Sequence, residues 1–147
     1  MLAVGVTGAY GFLGWHLRAL LHAESDLRAV PAGRDTFDDP QRLRAFVSGV
    51  NAVVHLAGCN RGADQEISKT NIALAERLAT ACEAAGARPH VVFANSTHHT
   101  RSSAYGESKR IAAERLAEWS GKSGATFTNL VLPHVFGESC RPFYNSV

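Results

Sequence analysis

The sequence predicts an α/β fold, a doubly wound parallel sheet with helices on both faces. Two observations carry that prediction. Short β-rich runs alternate with longer stretches of helical periodicity, which is the signature of strand–crossover–strand units. The first run, Leu2–Val6, is apolar throughout, as suits a strand covered on both sides rather than one with a solvent face.

Each element follows in order. After Leu2–Val6, Gly8, Gly11 and Gly14 punctuate the chain, and Leu13, Leu17, Leu20 and Leu21 then recur at helical spacing. Leu27–Val30 is a second short strand. Pro40, just before Leu43, Phe46 and Val47, starts a short helix. Asn51–Gly58 is a third strand and its exit turn. Ile72, Ala75, Ala79 and Cys82 mark one face of a long helix that ends near Gly86. His90–Ser96 is a fourth strand, and Tyr105, Lys109, Ala112, Leu116 and Trp119 share the face of a further helix. Thr126–Leu132 is a fifth strand, stopped by Pro133. Right-handed crossovers suggest the spatial order 3-2-1-4-5, with a ligand crevice beside the first strand.

Composition narrows the function classes. The 147 residues are 46% hydrophobic and 19% charged, which excludes a disordered or low-complexity chain. A net charge of +2 without a basic run argues against nucleic-acid or polybasic membrane binding. Three cysteines (Cys59, Cys82 and Cys140) with no C-x-x-C spacing suit neither a disulfide framework nor a zinc site. The scattered histidines suggest no metal either. Met1–Trp15 lacks the basic leading region of a signal peptide, and no segment approaches the roughly 20 apolar residues of a membrane span. The expected location is the cytoplasm.

The chemistry begins at TGAYGFLG, Thr7–Gly14, between a predicted strand and a predicted helix. Glycines there allow a tight turn and a close backbone approach to a pyrophosphate, and the helix start offers free N–H groups and its positive dipole end. The spacing G-x-x-G-x-x-G resembles that of the short-chain dehydrogenase/reductases, particularly their extended branch. The resemblance implies a Rossmann-like fold and a nicotinamide cofactor, with Gly8, Tyr10, Gly11, Phe12 and Leu13 against it. Near the end of the second strand, Arg34 stands where a 2′-phosphate could be paired, favouring NADP, while the neighbouring Asp35 leaves NAD open. Leu56, Ala57 and Gly58 at the third strand's exit would line the same cofactor.

YGESK places Tyr105 and Lys109 at an i, i+4 spacing, so both project from one helix face. An ammonium beside a phenol favours the phenolate and brings its pKa toward neutrality. By resemblance to the family's Ser-Ser or Ser-Thr pair, Thr97 takes the carbonyl-binding position and Ser96 supports it, completing a Thr97–Tyr105–Lys109 catalytic set. Sugar dehydratases of the family carry an acidic pair directly after that threonine. Here His98 and His99 follow, which leaves a ketone reductase or an epimerase.

NAVVHLAGCNRG, VVFANST, YGESKR and TNLVLPHVFGESCRPFYNSV together resemble the nucleotide-sugar 4-ketoreductases of capsular polysaccharide and O-antigen synthesis, the UDP-N-acetyl-L-fucosamine pathway included. That resemblance implies NADPH-dependent reduction of the C4 ketone of a UDP-2-acetamido-2,6-dideoxy-hexos-4-ulose. It places Asn60, Arg61, Ser96, His98, Arg141 and Asn145 toward the substrate, and Pro133, with Val135 and Phe136, toward the nicotinamide. A homodimer is compatible with it. The alternatives are a nucleotide-sugar 4-epimerase retaining NAD, a non-catalytic NADP sensor, or a fragment inactive by itself. Family members are longer, so residues 1–147 read as the cofactor-binding domain of a larger enzyme, without its final strands and substrate domain.

Overall fold

The computed structural model describes residues 1–140. Five strands and five helices follow one another as β1 (Leu2–Thr7), α1 (Phe12–Ala23), β2 (Leu27–Ala32), α2 (Arg34–Asp38), α3 (Pro40–Ser48), β3 (Ala52–His55), α4 (Asp64–Ala85), β4 (His90–Ser96), α5 (Ala104–Ser123) and β5 (Phe127–Leu132). A short 3-10 turn, Thr97–Thr100, links β4 to α5. Among the described residues no helix is long and apolar enough to cross a membrane.

The sheet is wholly parallel, as the alternation predicts, but its order is β2-β1-β3-β4-β5. The expected order 3-2-1-4-5 is corrected at one place: β3 pairs with β1, in the register Val4↔Ala52 to Thr7↔His55, and not with β2. The segment between β2 and β3 folds into α2 and α3, which carry the chain back past β1 to its far edge. Asp39 fixes that outcome locally, because its carboxylate accepts from the N–H groups of Gln41 and Arg42 while Pro40 occupies the first helical turn. β2 is therefore an edge strand, the setting in which Pro31 is tolerated.

Strand side chains divide between two apolar layers. Val6, Ala9 and Leu21 form the smaller one beneath α1, joined by Val4, Leu17, Leu27 and Ala29. The larger one gathers Phe37, Phe46, Val53, Leu78, Val91, Phe93, Leu116 and Trp119 between the sheet and α3, α4 and α5. Alternate residues of β1 and β2 reach opposite layers, which is why both strands read as apolar. All five strands end at one edge of the sheet, and every residue discussed below lies at or near that edge.

Candidate active site

The glycine turn is a backbone cradle. Gly8 has φ +63°, and a Cβ there would lie 2.8 Å from the Ala57 nitrogen, so only glycine fits both the conformation and the approach of β3. Gly11 precedes α1 without any side-chain cap, leaving the helix's first N–H groups for an anion. An uncapped helix start beside a turn that excludes side chains suits the pyrophosphate of a dinucleotide. Phe12 and Leu13, in the first turn of α1, are half-buried. Tyr10 is 72% exposed, lies against Gly33, and carries the Arg18 guanidinium 5.2 Å from its ring centroid.

Beneath the cradle Thr7 ties β1 to β3. Its Oγ1 accepts from the N–H groups of Leu56 at 3.1 Å and Ala57 at 3.2 Å. Both lone pairs are thereby used, so its own proton goes to His55 Nδ1, 2.7 Å away. The ring of His55 is then neutral with its proton on Nε2. Complete burial, with Lys109 nearby as a second cause, pushes its pKa down to about 3. The ring stacks on Phe93 at 5.7 Å and lies 6.0 Å from Phe37.

At the end of β2 the two charged residues of the cofactor position have different surroundings. The Asp35 carboxylate pairs with Arg42 at 3.3 Å, whereas Arg34 is exposed and makes no ion pair among the described residues. The β3 exit is clamped from α4 by Asn71. Its Oδ1 accepts from the Cys59 N–H at 2.6 Å, and its Nδ2 donates to the Cys59 carbonyl at 2.8 Å and to Ser108 Oγ at 3.0 Å. Ser108 Oγ donates in turn to the Tyr105 carbonyl at 2.8 Å. One buried amide thus joins the loop after β3 to the start of α5.

Tyr105 stands in the first turn of α5. Ser103 caps that helix by accepting from the Gly106 N–H at 3.1 Å, and a Cβ on Gly106 would run into the His98 carbonyl oxygen. The 3-10 turn and α5 can therefore pack closely enough to bring β4's end against the phenol. Ser96, the last residue of β4, lies beside the phenol and favours its ionised form, and its Oγ accepts from the His98 N–H at 3.1 Å. Thr97, placed by resemblance at the carbonyl-binding position, is exposed on the turn. Ser96 is the last residue of the strand, and Thr97 opens the 3-10 turn that follows. The His98 ring meets Tyr105 edge-on, with centroids 6.1 Å apart.

Lys109 is buried, at 8% exposure. Its Nζ donates to the Ala94 carbonyl at 2.6 Å and sits 4.4 Å above the Phe93 ring. Burial brings its pKa down to about 8. Burial also raises the Tyr105 phenol above its ordinary value, against which the Ser96 hydrogen bond works. Burial thus favours the protonated phenol. Asn60, Arg61 and Pro133 are exposed around the edge, and the Arg61 carbonyl accepts from Cys59 Sγ at 3.0 Å. Arg141 and Asn145 lie outside the described residues.

Thr7, His55, Asn71 and Ser108 have no functional role in the sequence reading. For Asn71 a signal existed, since it continues the buried face of Ile67, Ala75 and Leu78 as a lone amide at helical spacing.

Proton-carrying side chains and a glycine cradle thus lie together at the carboxyl edge of a doubly wound parallel sheet. The chain belongs to the NAD dependent epimerase/dehydratase family, whose sequence profile matches residues 4–147. It is 34% identical over 146 residues to the UDP-2-acetamido-2,6-beta-L-arabino-hexul-4-ose reductase of Pseudomonas aeruginosa, covering 99% of this chain and 39% of the relative. Its fold matches the capsular polysaccharide assembling protein CapF of Staphylococcus aureus with a TM-score of 0.79 at 31% identity, over 98% of this chain and 39% of that one. The UDP-N-acetylglucosamine 4-epimerase of Bacillus cereus shares the fold at a TM-score of 0.81 and 22% identity, with coverages of 93% and 62%. The chain spans about two fifths of the length of the reductase and of CapF.

Proposed function

We propose that this domain serves the NADPH-dependent reduction of the C4 ketone of a UDP-2-acetamido-2,6-dideoxy-hexos-4-ulose. The observation that carries the reading is Tyr105 in the first turn of α5, facing the end of β4, with the buried Lys109 on the next helical turn. The name of the Pseudomonas aeruginosa relative supports the substrate class. The absence of a carboxylate pair after the strand, where His98 and His99 stand, favours reduction over dehydration.

Gly8, Gly11 and the start of α1 would hold the pyrophosphate, with Ala57 and Gly58 along the β3 exit. Arg34 would take the 2′-phosphate of NADP, a role helped by the engagement of the neighbouring Asp35 with Arg42. Bound NADPH supplies the hydride that reduces the ketone carbon. The protein's part is to bind the ketone oxygen and protonate it. Ser96 Oγ accepts from the His98 N–H, which fixes the hydroxyl beside Tyr105, where it would donate to the carbonyl oxygen. Tyr105 gives that oxygen its proton, which requires the phenol to be protonated at neutral pH, and burial keeps it so. Lys109, one helical turn away, offsets the negative charge left on the phenolate.

The test is oxidation of NADPH by the full chain in the presence of the 4-keto sugar nucleotide. Tyr105→Phe should lower turnover by at least about 100-fold with cofactor binding retained, and NADH should substitute poorly. Unchanged turnover in Tyr105→Phe overturns the assignment. Sugar epimerisation with no net NADPH consumption would replace the reductase with an epimerase.

A further inference from the structure

We propose that His16 clasps the loop after β5 across the mouth of the cofactor crevice and slows cofactor release. The inference rests on the nicotinamide reading above and adds to it a residue that retains the cofactor. β5 stands at one edge of the sheet with β4 and β3 between it and β1. At about 4.8 Å per strand, its end lies roughly 14 Å from β1. Yet the chain returns to α1 within Pro133–Glu138, where His16 Nε2 donates to the Glu138 carbonyl at 2.8 Å. Gly137 lies against the Phe12 ring. That path runs over the carboxyl ends of β4 and β3, the place where a doubly wound sheet binds its ligand.

The ring that makes the clasp is itself held. Phe12 and Trp15 meet it edge-on, with centroids at 5.0 and 4.8 Å. Phe12 is the first residue of α1, so the contact falls on the helix end that faces the phosphates. Beyond the clasp the chain folds back through a turn closed by the Cys140 N–H on the Gly137 carbonyl at 3.1 Å. Ser139 in that turn adopts φ +65°, a conformation that non-glycine residues rarely take. The loop therefore keeps a defined shape between two fixed points, β5 on one side and His16 on the other. A cofactor seated in the cradle would lie beneath it.

Two measurements on the full chain test the clasp: stopped-flow release of NADPH, and amide hydrogen exchange of the cofactor-free protein. His16→Ala should speed release roughly five- to tenfold, the loss of one hydrogen bond and its aromatic packing. It should also speed exchange across residues 134–140 while leaving β1 and β3 unchanged. His16→Gln keeps a donor for the same carbonyl and should restore much of both effects. Equal release from wild type and His16→Ala overturns the proposal, as does faster exchange spread over the whole sheet. Faster loop exchange without faster release overturns it too, since the loop would then be held without holding anything. If the wild type binds no NADPH, the functional reading fails and the clasp's role falls with it; if it binds and the variants do not differ, only the clasp fails.

Discussion

His55 should make this domain acid-labile by an amount that one substitution removes. The ring is neutral and buried in the folded chain, with a pKa near 3, against 6.5 for a free histidine. Between those values the unfolded chain binds a proton that the folded chain does not, so stability rises with pH through this window and is lost as pH falls. From pH 7 to pH 5 the loss from this residue comes to about 2 kcal/mol, growing to about 4 kcal/mol by pH 3. For a chain of this length, 2 kcal/mol corresponds to about 6 °C in Tm. His55→Gln cannot take up the proton, yet its amide oxygen can still accept from Thr7. Urea unfolding of both proteins at pH 7 and pH 5 isolates the effect, because carboxylates and other histidines cancel in the comparison. The wild type should lose about 2 kcal/mol more than the variant. Parallel losses would show that His55 titrates normally and that the Thr7 contact does not hold the neutral ring.

Lys109 has the same sign by a different route. Its folded pKa of about 8 lies below the unfolded value, so the wild type should gain about 2 kcal/mol between pH 7 and pH 9.5, and Lys109→Met should show no such gain in the same unfolding assay. Asn71→Ala strips the Cys59 N–H and carbonyl of their partner. It should cost about 2–4 kcal/mol in urea unfolding and lower activity through misplacement of the β3 exit. Gly8→Ala forces a side chain into a left-handed turn against Ala57, and should destabilise the chain by about 2 kcal/mol while abolishing NADPH binding in a fluorescence titration.

What the sequence made legible were the local features. The glycine turn, the Tyr105–Lys109 spacing and the five strands depend on short-range chemistry, and each lies where its pattern puts it. Strand order was not legible, because β1 is apolar on both faces and offers two equivalent edges. Which edge takes β3 depends on how α2 and α3, directly before it in the chain, cross the sheet. The placement of the Ser96 and Thr97 hydroxyls relative to the phenol was hidden for a similar reason. Two adjacent hydroxyls look alike until the last residue of the strand is known, and a one-residue change of register exchanges which of them meets the phenol. The roles of His55 and Asn71 required knowing which strand and helix their polar atoms would meet.

The Thr7 hydroxyl has a consequence for how tightly a ligand can be held. By bonding the Leu56 and Ala57 amides and the His55 ring at once, it prevents the glycine turn and the β3 exit from moving independently. The floor of the crevice is preorganised as one unit before any cofactor arrives. Binding then orders little of the protein there, and the contacts made with the dinucleotide appear more fully as affinity.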